Sequence, residues 1–167
     1  MPSRGFVLRV QVPEQGKLDL LVKFPGRLPC FGIAFRSQGK SLIFYNENKE
    51  DLFFRRINKK GEAKGWHRWE PDHIQRLSDQ EYWLRKNKRS LFGQTSKETR
   101  RPLVKLLVLT GDTQLGANKE HLHCMIGDTK ALLIQRRTSL YVVEEKKLIN
   151  FIKGWLAQSN QKSQEQN

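Results

Sequence analysis

Between Phe53 and Trp69 the chain interleaves cations with aromatic rings: Arg55, Arg56, Lys59, Lys60, Lys64 and Arg68 stand among Phe53, Phe54, Trp66 and Trp69. Lysine and arginine neutralise phosphates and release condensed counterions, and an aromatic plane stacks on an unpaired base for roughly 1–3 kcal/mol. Together these residue types have the chemistry of single-strand binding, with Trp66 and Trp69 as candidate stacking planes. Two more basic groups follow: Arg85, Lys86, Lys88 and Arg89, then Lys97, Arg100 and Arg101. Neither a helix-turn-helix recognition helix nor zinc-finger spacing accompanies them, so major-groove reading is not supported. RNA or single-stranded DNA is the better match.

The competing explanation is that these cations only solvate a surface and that both indoles belong to the core. Bulk charge weighs against it. The chain carries 31 Lys and Arg against 17 Asp and Glu, a formal net charge of +14, and residues 51–101 alone hold 14 cations against 7 acids. An excess of that size repels itself in a compact fold and is offset by a polyanionic partner. An acidic protein is an alternative partner to nucleic acid, and would make the chain a protein-interaction subunit.

A second constellation is His121-Leu122-His123, read within a strand over Glu120–Ile126. Period-two geometry would put both imidazoles on one face, where paired imidazoles can hold a divalent metal. The segment EHLHCMI resembles the His-hydrophobe-His motif of the HUH nucleases. That resemblance implies a metal that polarises a scissile phosphate and a tyrosine that attacks it, with Tyr141 as the only downstream candidate. The interval to Tyr141 is short for an intervening helix, so half-exposed strand histidines are the preferred reading, without metal or cofactor. No P-loop, GxSxG or HExxH pattern occurs, and Gly111-Asp112 and Gly127-Asp128 read as hairpin turns. The chain is therefore expected to be non-catalytic. Cys30 and Cys124 lack CxxC spacing and are expected as buried thiols, not a disulfide.

Most of these residues fall on short strands. Phe6, Leu8 and Val10 alternate with Val7, Arg9 and Gln11, and Leu18, Leu20 and Val22 alternate with Asp19, Leu21 and Lys23. Apolar segments at Phe31–Phe35, Ser41–Tyr45 and Leu52–Ile57 continue at the spacing of an antiparallel meander. Residues 58–70 read as a glycine-broken loop, Pro71 as the first turn of a short middle helix carrying Ile74 and Leu77, and residues 85–102 as an exposed connection. Strands resume at Leu103–Thr110, Glu120–Ile126, Ala131–Arg136 and Ser139–Val143. Leu148, Phe151, Ile152, Trp155 and Leu156 then fall on one face of a C-terminal amphipathic helix. The predicted class is α+β, predominantly antiparallel, with one basic domain over residues 1–157 and a polar tail over 158–167.

No apolar run approaches the length of a membrane span and no basic-then-apolar leader is present, so the expectation is a cytoplasmic protein that makes no membrane contact. One wider similarity covers about forty-five residues. IFYNENKEDLFF at 43–54, then KKGEAKGWHRWE, then LSDQEYWLRKN, resembles in order of features the small accessory subunit of type III-D CRISPR effector complexes. Here Arg85-Lys86-Asn87 stands where that family often shows an aromatic-glycine pair. The resemblance implies a non-catalytic subunit of an antiviral-defence ribonucleoprotein, holding guide RNA or its duplex with a target beside other protein subunits.

Overall fold

The run LVKLLVL at Leu103–Leu109 shows no polar alternation beyond Lys105, the pattern of a strand covered on both faces. All seven of its residues are buried. The fold comes from a computed structural model describing residues 5–26, 28–136 and 138–165. In chain order the strands are β1 Phe6–Val12, β2 Gly16–Lys23, β3 Cys30–Arg36, β4 Ser41–Asn46, β5 Asp51–Ile57, β6 Ala63–Arg68, β7 Leu103–Leu109, β8 Thr113–Leu115, β9 His123–Ile126, β10 Thr129–Arg136 and β11 Thr138–Glu144. The helices are α1 His73–Asn87, α2 Ser96–Thr99 and α3 Leu148–Glu165.

Two sheets form. One has seven strands in the order β1-β2-β3-β7-β11-β10-β9, the other four in the order β6-β5-β4-β8. Central β7 pairs in parallel with β3 and β11, and β4 pairs in parallel with β8. The other six pairings among the described residues are antiparallel. The class is α+β as predicted, with mixed sheets. Parallel neighbours need long crossovers, and between β3 and β7 the chain builds β4, β5, β6 and α1.

The seven-stranded sheet is covered differently on its two sides. On one, Phe151 of α3, with Ile152, Trp155 and Leu156 beside it, packs on Phe31, Ile33, Val104, Leu106, Val108 and Val143. Gly154 lets α3 approach closely, since a Cβ there would lie 2.8 Å from the Ile126 carbonyl oxygen. On the other side, Ile74, Leu77 and Leu84 of α1 join Ile43, Leu52 and Phe54 from the inner face of the four-stranded sheet against Leu107, Leu109, Leu132, Ile134, Leu140 and Val142. One face of the small sheet thus completes the core.

Helix α1 opens with Asp72, whose side chain accepts from the Gln75 amide at 3.0 Å. It runs fifteen residues, longer than the short helix predicted, because Gln80 and Leu84 extend the buried face. Gln80 also donates to the Gln15 carbonyl at 3.1 Å. Beneath the helix the Lys105 ammonium, 4% exposed, lies 2.6 Å from Glu81 Oε1, and Arg85 reaches Glu81 Oε2 at 3.0 Å.

Four local expectations are corrected. Residues 58–70 are not all loop: β6 lies within them, because Phe53, Phe54, Arg56 and Ile57 find ladder partners there. Glu120–Leu122 is a 3₁₀ turn, so only His123–Ile126 forms strand. The 85–102 connection holds the end of α1, a 3₁₀ turn at Arg89–Leu91 and α2, anchored by Phe92 at 2% exposure. Residues 158–165 continue α3 instead of leaving it, while 166–167 lie outside the described residues.

Removing one member of a buried ion pair strands the other charge, whereas replacing both by apolar groups is often neutral. Glu81→Leu, which strands the buried Lys105 ammonium, is expected to cost on the order of 3 kcal/mol in urea unfolding, and Glu81→Leu with Lys105→Met to recover most of it. An unchanged urea midpoint for the single variant would show that the pair contributes nothing.

Candidate nucleic-acid interface

Because Ile43, Leu52 and Phe54 of the small sheet turn inward, period-two geometry sends Phe44, Phe53 and Arg55 outward. Phe44 and Phe53 face each other across the β4–β5 ladder, and Leu42 faces Arg55. Trp66 of β6, 58% exposed, meets Phe44 edge-on with ring centroids 4.8 Å apart. The Arg55 guanidinium carbon sits 4.9 Å from the Trp66 ring centre, and Lys49 Nζ sits 5.3 Å from that of Phe53. These are cation–π distances.

The three rings line a cleft of about 650 Å³, flanked by the Asn46–Lys49 turn and by Ala117–Lys119. Asn118 fastens the second flank: its Oδ1 accepts from the Tyr45 amide at 2.8 Å, and its Nδ2 donates to the Ile43 and Gly116 carbonyls at 3.2 and 3.1 Å. Glu47 links the flanks, with Oε1 2.6 Å from His121 Nε2 and Oε2 3.4 Å from Lys119 Nζ. The His121 hydrogen bond, with Lys119 adding to it, holds the Glu47 carboxyl below its ordinary range. The cleft's acid therefore already has two partners. Arg55 Nη2 donates to the Ala63 carbonyl at 3.0 Å, and its buried Nε has no partner among the described residues.

The predicted basic residues separate into distinct roles. Arg55 and Trp66 line the cleft. Arg68, beside them on β6, donates through Nε to Asp51 at 2.9 Å, and Lys64 pairs with Glu62 at 3.1 Å on the surface. Arg56 lies 5.8 Å from the Phe54 ring centre, and Lys59 and Lys60 are exposed in the turn between β5 and β6. Arg85 and Arg101 serve the fold instead. Arg85 donates to the Arg101 carbonyl at 2.6 Å and covers the Phe92 ring at 4.6 Å, while Arg101 donates to the Gly26 carbonyl at 2.9 Å. Lys86, Lys88, Arg89, Lys97 and Arg100 are exposed at the far end of α1 and beyond it. Fifteen helical residues put that end about 22 Å from the helix start near Arg68, so the basic groups do not merge into one surface.

Trp69 is a correction. It is 2% exposed and packs edge-on against His73 at 4.7 Å, so it presents no stacking plane. Its amide continues the β5–β6 ladder to the Leu52 carbonyl at 2.9 Å. Three residues from Trp66, it falls on the other side of the extended chain, facing the core. Phe44, Lys49, Lys119 and Gly116 were not among the residues predicted for the site. The parity of β4 signals Phe44, but the other three are brought in by a turn and a crossover that sequence patterning does not show.

The nuclease constellation is not assembled. His123 pairs with Leu132, whose neighbours face α1 and the small sheet, whereas Tyr141 faces α3, with Phe151 and Trp155 at 5.4 and 5.2 Å. His123 and Tyr141 thus lie on opposite sides of the seven-stranded sheet, and burial pushes the Tyr141 hydroxyl pKa up. His121 precedes the strand and is tied to Glu47. No group of three or more potential metal ligands occurs among the described residues. Cys30 and Cys124 are free thiols belonging to different core clusters. Among the described residues no helix is long and apolar enough to cross a membrane. Comparison of the chain with protein families, with curated proteins and with solved structures found no match.

The two indoles should respond differently to truncation. Trp69→Ala is expected to cost about 3–5 kcal/mol, while Trp66→Ala changes stability by roughly 1 kcal/mol or less; equal losses in thermal unfolding would contradict the burial difference. His73 adds a pH dependence. Its burial, with the Arg36 and Arg76 charges, lowers its pKa to about 4 from 6.5. The unfolded chain therefore takes up this proton first, and stability falls as the pH drops from about 6.5 to about 4, by about 3 kcal/mol in all. A His73→Gln variant whose unfolding midpoint keeps the wild-type slope across that window would exclude this source.

Proposed function

We propose that the protein is a non-catalytic subunit of a ribonucleoprotein and binds RNA, or another single-stranded nucleic acid, on the outer face of its four-stranded sheet. One observation carries the reading: Phe44, Phe53 and Trp66 share an open cleft with Arg55 and Lys49 in a chain of net charge +14. Cations alone would suit an acidic protein equally well. Rings set beside them favour nucleic acid, since ring faces stack on unpaired bases and the ammonium and guanidinium groups take the phosphates between.

The resemblance to the small subunit of type III-D CRISPR complexes supports the same reading. The segments that carry it, 43–54, 59–70 and 77–87, fall on β4, β5, β6 and α1, three of which build this face. In such an assembly the subunit would hold guide RNA, or guide RNA paired with its target. The exposed cations Lys86, Lys88, Arg89, Lys97 and Arg100 offer a second, separate contact for the same polyanion or for a neighbouring subunit's backbone.

Phosphate contacts make affinity fall with salt. For a single strand with about four phosphates neutralised, the slope of log affinity against log salt is near −3, and affinity drops about 50-fold between 50 and 200 mM. Fluorescence anisotropy with a labelled oligoribonucleotide measures it. A slope near zero, or no binding at low salt, would end the proposal.

A further inference from the structure

Resting on that reading, we infer that the cleft between the Asn46–Lys49 turn and Ala117–Lys119 is a subsite for one unpaired nucleobase, held by its ring faces. Its volume of about 650 Å³ lies within the range of small-molecule sites. That is room for a nucleotide and too little for a stacked duplex. The walls that touch a ligand are aromatic on the sheet side, from Phe44, Phe53 and Trp66, and cationic at the margin, from Arg55 and Lys49.

Two of the polar groups in the flanks are already committed: Asn118 spends its amide on three backbone groups, and Glu47 is engaged by His121 and Lys119. Arg55 is held in place by Ala63 and Trp66. The aromatic wall suits a planar ring and the cations at its margin, Arg55 and Lys49, suit an anion, which describes a nucleobase joined to its phosphate.

Gly116 is the positioning residue. Its backbone lies against the Phe44 ring, where an added Cβ would collide with three ring carbons. Its amide donates to the Ile43 carbonyl at 2.9 Å, which prevents the segment from retreating. The ring therefore rests against bare backbone on one side and meets Trp66 on the other. Any side chain at position 116 would push Phe44 toward the space a base occupies.

The test compares an oligouridylate with a strand of equal length built only of abasic sites, at one fixed salt concentration, using the full chain. Phosphates are the same in both and only the bases differ. The intact strand is expected to bind roughly 5- to 150-fold tighter, the range for one stacked base. Gly116→Ala should reduce that ratio toward one. Trp66→Ala, at an exposed position, also reduces it and decides the matter alone should Gly116→Ala fail to fold. Equal binding of intact and abasic strands overturns the base subsite while leaving phosphate-driven binding in place. A ratio that survives both substitutions overturns it too, as does competition by polyglutamate as strong as by the intact strand. Failure of both strands to bind removes the parent reading as well.

Discussion

A strand whose residues are all buried must be covered on both faces, and β7 imposes that requirement on the whole molecule. One cover is α3. The other is shared by α1 and the four-stranded sheet, which meets the core mainly through Ile43, Leu52 and Phe54. A sheet that needs only one face for the core leaves its other face open. That is why Phe44, Phe53 and Trp66 can remain solvent-facing on rigid strands, with the long connection from β3 to β7 supplying the strands that carry them.

The same arrangement governs where the cations go. Lys105 lies beneath α1, and burial of its ammonium demands an acid, supplied by Glu81. Glu81 in turn engages Arg85, whose remaining donors reach the Arg101 carbonyl and whose plane covers Phe92. Two arginines of the basic middle third are thus part of the scaffold. The exposed cations at the far end of α1 stand about a helix length from its start near Arg68.

How far patterning reaches is clearest where it fails. Trp66 and Trp69 look alike in composition, but their odd spacing puts them on opposite sides of an extended chain. Reading 63–68 as loop hid that parity. Arg85 stands four residues after Glu81, the spacing of a helical ion pair, which becomes visible once α1 is allowed to run past Tyr82. His121 and His123 looked like an alternating pair, yet the turn at Glu120–Leu122 takes the first out of the strand. Each error came from a misplaced element boundary, and each moved a side chain to another face.

From residue order alone came the α+β class, most of the strand segments, the buried face of the C-terminal helix, the concentration of charge and the presence of rings among the cations. These depend on local periodicity and composition, which every short window contains. Which rings face solvent, which arginines are bound internally, and the meetings of Glu47 with Lys119 and of Phe44 with Gly116 were decided by tertiary structure. Contacts across some seventy residues depend on how the two sheets stack, and that is set by closure of a shared core that no window can report.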